Sequence, residues 1–136
     1  MKFRVALLAL ESLALGGAST AAVVYGFPVM FGLGIATLMQ APATGSLGLL
    51  QLAGCAWAVV EFWHLAVKTT LSLPYSFGLR FWLGVFGATV GLVGFYGTMP
   101  LAAVSLFIGL PALGAAHFSF LQLRMRSRQT PSRVAT

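Results

Sequence analysis

Glu11 and Glu61 are the only acidic residues in this chain, and both stand inside apolar runs long enough to cross a bilayer. A carboxylate in hydrocarbon is costly unless it is protonated, paired or hydrated, so an intramembrane acid marks a candidate functional site. His64 and His117 also fall within apolar runs, and imidazole changes charge near neutral pH. Four such groups could hold a proton or a cation, ligate a metal or haem, or hydrogen-bond one helix to another.

Spacing narrows these options. Trp57, Glu61, His64 and Lys68 follow the i, i+4, i+7, i+11 pattern of a single helical stripe. Glu61 and His64 come within reach of each other on it, while the Lys68 stem can carry its ammonium to the surface. Glu11 is seven residues from Arg4, Glu61 seven from Lys68 and His117 seven from Arg124, which places each about 10 Å inside the nearest basic residue. His64 lies about 6 Å in by the same rule. Three helices are thus expected to put Glu11, Glu61, His64 and His117 into one layer.

As polar glue, each bond in that layer contributes about 0.6 to 2 kcal/mol. As a proton or cation site, the layer opens towards the cytoplasm. The third reading, a metal or haem site, has the least support. Glu61-Phe62-Trp63-His64 has the Glu-x-x-His spacing of carboxylate-bridged di-iron bundles, which draw on two such motifs and two further glutamates; this chain has one motif and one extra glutamate. His64 and His117 alone are a poor haem signature. Neither a metal nor a cofactor is expected.

The elements that hold these groups follow from composition. Hydrophobic residues make up 59% of the 136, charged residues 7%, and mean hydropathy is +0.94, against about 25% charged residues in a soluble domain. The chain is expected to be one all-α membrane domain with no nucleotide or hydrolytic site. Its net charge of +6 does not imply nucleic acid, because no binding motif accompanies it. Half of the basic residues sit in the tail as Arg124, Arg126, Arg128 and Arg133, where lipid headgroups are the expected partners of Arg124, Arg126 and Arg128. The lone Cys55 excludes an internal disulfide and reads as a small core residue.

A bilayer core of about 30 Å needs about 20 apolar residues. Four runs qualify, at about 3–25, 47–67, 79–97 and 101–123, with 124–136 as a basic cytoplasmic tail. The first resembles a secretory signal, but Glu11 interrupts its apolar stretch, so it is read as an anchor that stays. Turns are expected at Ala41 to Ser46 and at Leu73 to Ser76, with Pro100 in the first turn of the last span. Phe27 to Gln40 is short, follows Gly26 and contains Pro28, Gly32 and Gly34. If it does not cross, all eight basic residues share one side, as the positive-inside rule prefers. The expected fold is therefore an up-down bundle of four transmembrane helices, with 27–40 as a short interfacial or re-entrant helix between the first two. Both termini and the 69–78 loop would be cytoplasmic, in the inner (plasma) membrane.

Gly84, Gly87, Gly91 and Gly94 form one stripe and imply a close-packed neighbouring backbone. Ser105 and Gly109 make a second small pair. Pro111 denies a hydrogen bond to the Phe107 carbonyl and predicts a kink. Phe62, Trp63, Phe81, Trp82, Phe118 and Phe120 are expected as an interfacial belt. No motif ties the chain to a known family. The expected function is non-enzymatic: an accessory subunit of a membrane complex, or a membrane-embedded protein that neutralises a toxin (an immunity protein). Its partners would be the lipid bilayer and a membrane protein or a second copy. The alternative is a small proton- or cation-coupled transporter or channel using the Glu/His layer.

Overall fold

The computed structural model describes residues 2–95 and 100–129. Helix α1 spans Lys2–Gln40, α2 Pro42–Thr70 and α3 Leu79–Phe95. A short α4 (Leu101–Val104), a π-helical turn (Ser105–Gly109) and α5 (Leu110–Gln129) follow end to end. No strand occurs among the described residues. Phe3–Gln40, Pro42–Thr70 and Ser105–Ser127 are long and apolar enough to cross a membrane, whereas the apolar stretch of α3, Leu79–Gly94, is shorter. Helix α2 is central and packs against α1, α3 and α5.

The segment 27–40 is not a separate interfacial or re-entrant helix. It continues α1 through Pro28 to Gln40, making one helix of 39 residues. Pro28 removes one backbone donor, a defect that neighbouring helices make tolerable in apolar helices. Here α2 runs alongside as a splint. Trp63 Nε1 donates to Thr20 Oγ1 at 2.6 Å below the proline, and Gly34 packs on Leu49 above it. The turn expected over Ala41 to Ser46 is the single residue Ala41, whose φ of −141° and ψ of 83° are the extended geometry favoured before a proline. Pro42 then starts α2. Gly45 makes so tight a hairpin possible, because a side chain there would collide with the Leu38 backbone.

The other end of α2 closes in a Schellman motif. Leu73 N donates to Lys68 O at 2.8 Å and Ser72 N to Thr69 O at 3.1 Å, with Ser72 in the left-handed region at φ 57°. This reversal sends the 71–78 segment back beneath the bundle, and Tyr75 joins the core of Leu8, Phe62, Leu65, Ala66 and Phe118.

One further expectation changes. Phe62 and Phe118 are core residues rather than members of an interfacial belt, whereas Trp82 and Phe120 are exposed. The Phe62 ring fills a slot between α1 and α5, where a Cβ added at Gly16 or Gly114 would strike it. Helix α5 runs on past Leu123 as far as Gln129. Residues 96–97, expected to end the third span, the loop expected at 98–99 and Arg133 lie outside the described residues.

Candidate functional site

Glu61 is a buried acid with both carboxylate oxygens engaged. Its side chain is 4% exposed, on the face of α2 that meets α3 and the 71–78 segment. Arg80 Nε donates to Oε1 at 3.1 Å and the Tyr75 hydroxyl donates to Oε2 at 2.9 Å. Arg80 is held in turn by Trp57: its guanidinium lies 5.5 Å from the indole centroid, and Trp57 Nε1 donates to the Arg80 carbonyl at 3.2 Å. His64 shares the stripe, but its Nδ1 stops 3.6 Å from Glu61 Oε2, beyond hydrogen-bond length. Its ring packs edge-on against Tyr75, with centroids 5.4 Å apart. Burial, and then the Glu61 carboxylate, push the Tyr75 phenol well above its ordinary pKa, so it serves as a neutral donor.

A second set of bonds fixes the same segment from α5. Gln122, 1% exposed, accepts from Tyr75 N at 3.2 Å and donates to Thr69 Oγ1 at 3.1 Å and Leu73 O at 3.0 Å. Arg126 donates to the Tyr75 carbonyl and sits 5.6 Å from the Phe77 ring centroid. Tyr75 is therefore gripped through its side chain by α2 and through its backbone by α5.

The four groups expected in one layer find different partners. Glu11 and His117 meet across α1 and α5 at 3.3 Å, with exposures of 32% and 45%, while Glu61 has the partners above. No three His, Cys, Asp or Glu residues converge on a metal-sized site among the described residues. Among the described residues Lys68 joins neither Glu11 nor Glu61. Tyr75, Arg80 and Gln122 complete the network and were not singled out from the sequence. Gln122 did carry a signal, as a lone amide within the last apolar run; Tyr75 and Arg80 lay near a loop that hydropathy alone leaves undefined.

The glycine stripe of α3 lies against α2. A Cβ at Gly54 would stand 3.0 Å from Gly87 Cα, and one at Gly84 would stand 3.1 Å from Glu61 Cβ. Gly91 faces Cys55 and Gly94 faces Gln51. The stripe thus lets α3 approach closely enough for Arg80 to reach Glu61. Ser105 and Gly109 lie beside each other: among the described residues a Cβ at Gly109 would stand 3.9 Å from Ser105 Cβ. They belong to the π-helical turn, where the carbonyl orphaned by Pro111 has found another donor, Ser19 Oγ on α1, at 2.6 Å from Phe107 O.

Of the three expected headgroup arginines, Arg126 is committed to the 71–78 segment, and the Arg128 side chain lies outside the description. Arg124 lines a surface hollow with Arg4, Leu121 and Met125. No protein-family model matches the chain, and searches of curated proteins and of solved structures returned no significant match.

Proposed function

We propose that this protein is a non-enzymatic, multi-pass membrane protein that acts through helix-helix contacts within the bilayer, as an accessory subunit of a larger inner-membrane complex or by capping a membrane-targeted toxin. The supporting observation is the length of the α1–α2 hairpin. At 1.5 Å per residue α1 is about 58 Å long and α2 about 43 Å, against a hydrocarbon core of about 30 Å. Even the steepest common tilt, about 40°, leaves α1 about 14 Å too long. The excess remains apolar: Val29, Met30, Phe31, Leu33, Ile35, Met39, Leu47 and Leu50 are exposed. A hairpin tip of this kind is suited to the apolar surface of a second membrane protein.

A photo-crosslinking residue at Phe31 tests this reading in cells, with Phe86 on the outer face of α3 as comparison. Capture of one discrete membrane protein from Phe31 and not from Phe86 is expected. Adducts to lipid alone from both positions would overturn the partner.

Glu11 and His117 favour the second reading, a proton- or cation-coupled carrier, because this acid-base pair spans two helices and stays partly open to the surroundings. That reading needs Glu11→Gln to abolish ion movement at normal abundance. In the accessory-subunit reading the variant is nearly silent. Both readings place the four spans, including the shorter α3, with termini and the 71–78 segment on the cytoplasmic side, where the basic residues gather.

A further inference from the structure

At the basic end of the α1–α5 seam, Arg4, Leu121, Arg124 and Met125 line an open surface hollow of about 230 Å³. The register that brings them together is set higher up. Ser19 bonds the Phe107 carbonyl, Leu15 packs at Gly114, and Glu11 meets His117 at 3.3 Å. The two helices run antiparallel, so Arg4, seven residues before Glu11, and Arg124, seven after His117, reach the same level. Two cations from different helices therefore share one small space.

Among the described residues nothing neutralises them. The chain has two acids; Glu61 is engaged by Arg80 and Tyr75, and Glu11 faces His117. Neither Arg4 nor Arg124 joins an ion pair among the described residues. The first turn of α1 contains no acidic residue, so its unpaired N–H groups add positive potential beside Arg4. A guanidinium matches phosphate in shape and charge and binds it through paired N–H donors. The remaining walls, Leu121 and Met125, are apolar, and Phe3, Leu7 and Leu10 expose further apolar surface on α1, alongside which an acyl chain fits.

We infer that Arg4 and Arg124 form a two-helix clamp for the phosphate group of an anionic membrane lipid, which closes the α1–α5 seam at its basic end. Helix-spanning geometry distinguishes this site from a general attraction of the tail to charged membranes, because it requires one arginine from each end of the chain.

Lipid binding to the purified full-length protein can be followed by native mass spectrometry from mild detergent, titrating phosphatidylglycerol, phosphatidylcholine or inorganic phosphate. The wild type should retain phosphatidylglycerol and not phosphatidylcholine. Arg4→Gln and Arg124→Gln should each raise the half-saturating lipid concentration about tenfold, the scale of one lost charge-assisted contact. Lys68→Gln removes the same charge outside the clamp and should bind as the wild type does. Both arginines are surface residues, and unchanged melting of the variants confirms that the fold is intact. Equal binding by wild type and arginine variants, or equal weakening by Lys68→Gln, would overturn the clamp. Displacement of the lipid by equimolar inorganic phosphate would identify a soluble phosphate as the ligand and overturn the lipid assignment.

Discussion

Both oxygens of Glu61 are engaged inside the protein, by Tyr75 and by Arg80, so its substitutions separate shape from charge. Glutamine keeps an acceptor for one of these donors, and Glu61→Gln should accumulate and melt close to the wild type. Leucine leaves a buried phenol and a guanidinium without their acceptor, a loss of about 1–3 kcal/mol. Thermal melting in detergent should therefore fall by several degrees for Glu61→Leu and little for Glu61→Gln. Equal melting of the leucine variant and the wild type would mean that the network contributes nothing to stability. Tyr75→Phe removes only the hydroxyl and should fall between the two.

Elements are joined here by repairs as much as by apolar packing. Pro111 costs its helix one hydrogen bond, the helix widens into a π turn, and Ser19 supplies the missing donor from another helix. Ser19→Ala should destabilise the protein by about 1 kcal/mol. In a Pro111→Ala background, where the helix can satisfy Phe107 itself, the same change should cost much less. A double-mutant cycle measures that difference; additive effects would show that the two sites are uncoupled. The glycine stripe makes a comparable prediction for α3. Gly87→Leu would drive a side chain into the Gly54 backbone, part α2 from α3 and lower melting of the purified protein even without a partner. Normal melting of Gly87→Leu would show that α3 can leave α2 freely.

For the molecule as a whole, the basic residues predict one orientation. In a Cys55→Ser background, a cysteine introduced at Thr44 should react with a membrane-impermeant reagent added from outside, and one at Ser72 should not. The reverse pattern would invert the topology. A long hairpin beside a short α3 also makes the two ends of the protein unlike. The basic end is cross-linked by Glu61, Tyr75, Arg80 and Gln122, whereas the tip beyond Pro28 is held chiefly by α1 against α2. Hydrogen exchange should accordingly be faster at 29–39 than at 61–69 in detergent, and a bound partner should slow the former selectively.

Helical content, apolar helices long enough to cross a membrane and the orphaned Phe107 carbonyl were legible in the sequence, because each depends on composition or on near neighbours along the chain. The same holds for the close approach implied by Gly84, Gly87, Gly91 and Gly94. Local rules failed at 27–40, where proline and glycine signal a break; the helix persists because α2, folded back after Ala41, packs alongside it. For Glu11, Glu61, His64 and His117 local rules stop short of naming partners. Depth along a helix can be counted from residue numbers, but the direction in which a side chain finds its partner depends on how the helices are rotated about their axes. That rotation, set by Phe62 between Gly16 and Gly114 and by α3 lying close on α2, gave Glu61 to Arg80 and Tyr75 and left Glu11 to His117.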